Sequence, residues 1–227
     1  LLYLVPQAVR VFLIPLIFVP LCGLSVLLSF RKLNKDLPIF QDDPRTNVPV
    51  YVRIVRVYWK SAFAIGTMGF ASGLVRSIAV ADVQLGDVTN AASFLGLFVV
   101  AGLMLLLWQR RSFALNLHFV FMVSFPLVAV CLAFFPFVEG KTLAFISGIV
   151  FLLFSLANII VMLQSAHICL NRGCNPFFVY GFFGSIVGLL QNGGFIFGHI
   201  AVANRLFGEQ TPFAVAVIGL LVLTITL

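Results

Sequence analysis

Between Arg31 and Lys60 the chain reads RKLNKDLPIFQDDPRTNVPVYVRIVRVYWK, and on either side of this passage lie apolar runs long enough to cross a bilayer. A spanning helix needs about 20 predominantly apolar residues. In hydrocarbon every backbone N–H and C=O must be satisfied within the protein, so runs of this length are read as helices. Arg31, Lys32, Lys35, Arg45, Arg53, Arg56 and Lys60 are seven of the fourteen Lys and Arg residues. Cytoplasmic loops carry an excess of such cations, so 31–60 is predicted to be a basic cytoplasmic loop, and it orients every other segment. Its last third, Val48–Lys60, sets Arg53 and Arg56 among valines and closes on Tyr58 and Trp59, which favour the headgroup level. That stretch reads as an interfacial lead-in to the next span, with a plain solvated loop anchored by Lys60 as the alternative.

Only 9% of the residues are charged and 62% are hydrophobic. A soluble domain, in which about a quarter of residues carry charge, is excluded. The net charge of +7 follows membrane topology and does not spread as a nucleic-acid footprint. Seven spans are predicted, at about 11–30, 61–80, 91–108, 112–135, 143–166, 177–204 and 212–227. The connection Asp82–Asn90 carries two acids and no Lys or Arg, which suits the outer face, as do PFVEGK and the turn holding Arg205 and Glu209. Arg110 and Arg111, and Arg172 within HICLNRGCNP, mark inner connections. Residues 1–227 are therefore expected to form one polytopic all-α integral membrane domain, multi-pass in the cell membrane, with its last residues facing the cytoplasm. Leu1 is not an initiator Met and Leu227 stands inside an apolar run, so a piece of a longer chain is expected.

Within the second span, Ala62, Gly66, Gly69, Gly73 and Ser77 recur at intervals of three and four, a face of small side chains that lets another helix approach closely. Arg76 falls on that packed side at about 100° per residue. An arginine inside a membrane is costly, and it serves either as counter-charge to an anionic ligand or in an internal ion pair. Snorkelling of its long side chain to the nearby outer boundary is the competing explanation. The sixth span repeats the small-residue device with Gly184-x-x-x-Gly188 and Gly194-x-x-x-Gly198, and is predicted to be a packing helix. Its amides Gln191 and Asn192, followed by Gly193 and Gly194, interrupt an apolar run, as binding sites in transporters do and as purely structural interhelical hydrogen bonds also do. Asn158 and Ser155 make a weaker polar face on the fifth span. Arg76, Asn158, Gln191 and Asn192 are thus the candidate ligand-binding residues, and Gly66, Gly69, Gly73, Gly184, Gly188, Gly194 and Gly198 the candidate packing residues.

No nucleophile elbow, phosphate-cradling loop or H-E-x-x-H pattern occurs, so catalysis is not expected. His167, Cys169 and Cys174 lack a fourth ligand and zinc-site spacing, and no metal or cofactor is expected. The scattered cysteines are expected to be free thiols.

Two passages carry a family resemblance: LANIIVMLQSAHICLNRGCNPFFVYGFFGSIVGLLQNGGFIFG, residues 156–198, and RVYWKSAFAIGTMGFASGLVRS, residues 56–77. Together they resemble the membrane half of LuxR-type helix-turn-helix regulators, whose N-terminal part looks like a major facilitator bundle. The resemblance implies a polytopic bundle like the latter part of a major facilitator fold. It also implies a sensor that binds a small ligand and signals to a cytoplasmic DNA-binding domain beyond Leu227. The partners so implied are the bilayer, an unidentified small ligand, the remaining helices of the same chain, and DNA only through that further domain. A major facilitator type secondary transporter of a small solute is the alternative. Transporters of that superfamily commonly carry a Gly-, Asp- and Arg-rich inner loop, and here that loop reads LLLWQRRSFAL without Gly or Asp, which favours the sensor.

Overall fold

The computed structural model describes residues 19–32, 48–81, 83–109, 117–172, 175–204 and 206–225, and no strand occurs among them. The chain divides into two compact units, Leu1–Asp42 and Asp43–Leu227. The first contributes α1, Val19–Lys32. The predicted span 11–30 is thus described only from Val19, its Pro15 lying outside the described residues.

The second unit contains α2 (Val48–Ala81), α3 (Val83–Gln109), α4 (Leu117–Phe134) with a following 3-10 turn, α5 (Gly140–Arg172), α6 (Pro176–Ala203), a second 3-10 turn at Gly208–Gln210, and α7 (Thr211–Thr224). Five stretches, Val48–Ala81, Leu85–Gly102, Val120–Phe137, Gly140–Ser165 and Phe177–Ala203, are long and apolar enough to cross a membrane, the signature of a multi-pass membrane protein. Of the seventh predicted span, 212–227, the residues up to Ile225 are described. Its helix α7 has 14 residues, about 21 Å at about 1.5 Å per residue, against a hydrocarbon core of about 30 Å.

Two predicted loops, and the predicted lead-in Val48–Lys60, are helical. Val48–Lys60, placed in the basic loop 31–60, forms the first turns of α2, because Pro49 occupies the helix start and Tyr51, Ile54, Ala62 and Ile65 continue one buried stripe across the polar boundary. Val83–Asn90, read as an outer loop, opens α3. Its polar side chains are satisfied by the helix itself, Thr89 Oγ1 donating to the Leu85 carbonyl at 2.8 Å and Ser93 Oγ to the Thr89 carbonyl at 2.7 Å. His167–Arg172 extends α5, and the Asn175 side chain then caps α6 by accepting from the Phe177 N–H at 2.9 Å. The turn PFVEGK does form. It ends at Gly140, whose φ of +56° suits glycine.

The bundle is organised around α2, in whose most apolar 18-residue stretch 67% of the residues are buried, against 50% for the matching stretch of α5, 28% for that of α3 and 22% for that of α6. Its neighbours are α6 along most of its length, then α5, α7 and α3. Pairing directions can be followed from the contacts. Tyr51 meets Phe178, Tyr58 meets Phe183, and Gly66, Phe70 and Ser77 meet Leu190, Gly194 and Gly198, so α2 and α6 run parallel. Gly69 sits against Phe154 while Arg76 lies over Phe151, so α5 runs antiparallel to α2. Gly96 and Gly148 meet Leu152 and Ala92, so α3 and α5 are parallel. These directions are those of an alternating up-and-down path.

Candidate functional site

The α2–α6 seam is built from glycines on both sides. A Cβ at Gly73 would strike the Gln191 carbonyl oxygen and come within 2.7 Å of the Phe195 nitrogen. One at Gly194 would strike the Phe70 carbonyl and stand 2.9 Å from its Cα. At Gly198 the obstacles are Ser77 Oγ and, at 3.1 Å, the Leu74 carbonyl. Backbone therefore lies on backbone, as small residues at three- and four-residue spacing permit. Gly66 and Gly69 join this face, against Leu190 and against Phe154 with Gln191. For Gly184 and Gly188, expected to pack likewise, a Cβ would meet nothing within 4 Å among the described residues. The reason is rotation, since the ten residues from 184 to 194 turn the helix so that the two glycine pairs face directions about 80° apart.

On α2, Arg76 lies on the α5 flank of the glycine face, about 20° around the helix from Gly69, which itself touches Phe154 of α5. Its Nη2 donates to Asn90 Oδ1 at 2.8 Å, and its guanidinium lies 4.7 Å from the centre of the Phe151 ring. Gly69 packs against Phe154 on the antiparallel α5, which sets residue 76 roughly level with Ser147. The guanidinium nevertheless reaches Phe151, about one helical turn deeper. The side chain thus points toward the N-terminal end of its own helix, as side chains on a helix do, and into the bundle. This is the opposite direction from snorkelling. Among the described residues no carboxylate pairs with it, and Asp82 lies outside them. The cation is held by an amide oxygen and an aromatic face, both neutral.

Around this cation runs a seam of polar atoms short of partners. Ser72 Oγ, Ser147 Oγ and Asn158 Oδ1 are buried with no hydrogen bond. Ser72 precedes Arg76 by one turn on α2, while Ser147, Phe151, Phe154 and Asn158 recur at three and four residues along the α5 face turned to α2. An unmade bond at a buried polar group costs about 1–3 kcal/mol. Ser72 and Ser147, each about one turn from Arg76 or Phe151, and Asn158, about two turns further along α5, give this seam capacity to donate to and accept from a further molecule.

Of the four residues expected to bind ligand, contacts bring Arg76 to the α2–α5 seam, and helical spacing from Phe151 and Phe154 puts Asn158 on the same face of α5. Gln191 lies instead at the α2–α6 crossing, its Cβ beside Gly69 and its carbonyl beside Gly73. Asn192, one residue on and therefore about 100° around, is exposed. The helix α6 continues through Gly193 and Gly194 without unwinding. Asn90 and Phe151 were not singled out from sequence; reading 83–90 as helix would have put Asn90 on the α2–α3 hairpin opposite Arg76. Among the described residues no group of three His, Cys, Asp or Glu side chains gathers to hold a metal. Cys131 is a free thiol, and Cys174 lies outside the described residues.

Comparison with known proteins leaves this geometry to speak for itself: no family model, curated protein or solved structure matches the chain.

Proposed function

We propose that this chain is a membrane-embedded sensor module that binds a small anionic ligand between α2, α3 and α5 and reports occupancy to a cytoplasmic DNA-binding domain outside these residues. One observation carries the ligand half of the reading: Arg76 is directed into the bundle and held there by Asn90 and Phe151 alone, with no counter-charge among the described residues. A half-buried cation turned into an apolar bundle gains from an anionic partner, and an anionic ligand supplies one. The unpartnered Ser72, Ser147 and Asn158 atoms supply neutral hydrogen bonds to the same molecule. The output half, a LuxR-type regulator on a major facilitator-like bundle, rests on the resemblance of residues 56–77 and 156–198.

Binding of a panel of small carboxylates and phosphate esters to the purified full-length protein tests the ligand half. Arg76→Gln should weaken the best binder about 10- to 100-fold, the range of a hydrogen bond to a charged group. Arg76→Lys should restore part of it, since an ammonium keeps the charge but not the planar fork. Unchanged affinity in Arg76→Gln, at equal folded amounts, would end the proposal. Uptake of the same anion into proteoliposomes would replace sensing by secondary transport.

A further inference from the structure

The opening turns of α2 carry a second feature that the ligand site does not use. A groove of about 490 Å³ is lined by Val48, Tyr51, Val52, Val55, Arg56 and Phe178. Its walls are hydrocarbon apart from Arg56 and the Tyr51 hydroxyl, which accepts a hydrogen bond from the Asn175 N–H at 3.2 Å. Val52, Trp59 and Phe178 stand open beside it, 52%, 47% and 40% exposed. Trp59 continues the groove face, four residues beyond Val55.

Cations border this apolar surface. Arg53, Arg56 and Lys60 are all exposed and fall within about 60° of one another on the helix, over about 10 Å of its length. Arg56 belongs both to this row and to the groove wall. Neither α2 nor α6 contains an Asp or Glu, so the row has no carboxylate on the two helices that build the groove.

Depth identifies the occupant. The 34 residues of α2 are about 51 Å long, against about 30 Å of hydrocarbon, so a centred helix projects about 10 Å at each end. Arg53 then stands at the headgroup level, with Arg56 about 2 Å and Lys60 about 8 Å inside the boundary, and both reach back toward it with their long stems. The groove opens at that boundary. We propose that this surface binds an anionic phospholipid, its phosphate on the Arg53–Arg56–Lys60 row and its glycerol and upper acyl chain in the groove against Val52, Val55 and Phe178. A free phosphate would use the cations and leave the groove empty. An acidic peptide would meet the row from water, away from its apolar half.

Trp59 provides the probe. The full chain, with Trp108→Phe to leave one tryptophan, is reconstituted in phosphatidylcholine vesicles containing increasing mole fractions of brominated phosphatidylglycerol or brominated phosphatidylcholine. Trp59 fluorescence is expected to be quenched at a several-fold lower mole fraction of the anionic lipid. Each single change, Arg53→Gln, Arg56→Gln or Lys60→Gln, should reduce that preference by up to about fivefold, the worth of one cation near an anionic surface. The triple change should remove it while the fold persists, because all three side chains are exposed. Inorganic phosphate should not compete. Equal quenching by the two lipids would overturn the proposal, as would a preference that survives the triple change. Competition by phosphate would convert the site to one for free anions, and no quenching by either lipid would mean that another segment covers the groove; both outcomes refute lipid binding.

Discussion

Replacing Gly194 by Ala adds one methyl group to α6, and the structure fixes where it must go. The new carbon would strike the Phe70 carbonyl oxygen and stand 2.9 Å from both the carbonyl carbon and the Cα of Phe70. Ordinary carbon–carbon contact is about 3.5–4.0 Å, so α2 and α6 must separate by about 0.6–1.1 Å at the crossing. None of these obstacles is a side chain that can turn away. Overpacking of this kind costs about 1–3 kcal/mol. Alanine is also the better helix former, by about 0.8–1.0 kcal/mol, which masks part of the loss. Gly184→Ala on the same helix isolates the packing term, because it carries the same helix gain and its methyl would meet nothing within 4 Å among the described residues. The difference between the two variants is therefore the overpacking term alone, about 1–3 kcal/mol. In a chain of this size that corresponds to a gap of about 2–12 °C in midpoint. Thermal unfolding of the two purified variants in one detergent measures it. Gly73→Ala should fall with Gly194→Ala, since backbone again blocks it, whereas Gly66→Ala should be mild, because the tip of Leu190 can rotate away. Equal midpoints for Gly194→Ala and Gly184→Ala would refute a backbone-to-backbone crossing at Phe70.

Asn90→Asp should supply Arg76 with the carboxylate it lacks: anion binding should drop about 10- to 100-fold while the thermal midpoint holds or rises, read by the same ligand panel and the same melt. Asn175→Ala removes the cap of α6 and should cost about 1 kcal/mol in unfolding, with Asn175→Asp or Asn175→Ser retaining most of the stability.

The helices were legible in the sequence because long apolar runs leave the backbone no other way to satisfy itself. Their ends were not, and for one physical cause. Val48–Lys60, Val83–Asn90 and His167–Arg172 hold charged or polar residues, yet nothing in them breaks a helix, so polarity marked a change of environment without a change of backbone. The glycine motifs illustrate a related limit. Four-residue spacing says that two glycines share a face, but only a partner helix says which face matters. Gly194 with Gly198 and Gly184 with Gly188 share the spacing, and among the described residues only the first pair is packed. For Arg76 the same logic holds. Its presence inside a span was evident, whereas its partners Asn90 and Phe151 come from two other helices, whose assignment depends on how the bundle pairs.

That Arg76 and the glycine seam belong to one helix has a mechanical consequence for the proposed sensor. A ligand can shift a conformational equilibrium only by the difference in its affinity for the two states. Here the differential contact is the guanidinium, which must choose between Asn90 and the incoming anion. Drawing Arg76 from Asn90 loosens α2 from α3, but it leaves untouched the backbone contacts of Gly73 and Gly194, which involve neither side chain. The two parallel helices α2 and α6 are thus set to move as one body. Their shared far end is fastened as well, by the Tyr51–Asn175 hydrogen bond and the Tyr51–Phe178 ring contact. Displacement at Arg76 therefore arrives at Arg53, Arg56 and Lys60 with little lost between, because the only joints along the way are close-packed ones. On this argument Gly194→Ala, which loosens that pair, should blunt the response to ligand even where ligand still binds.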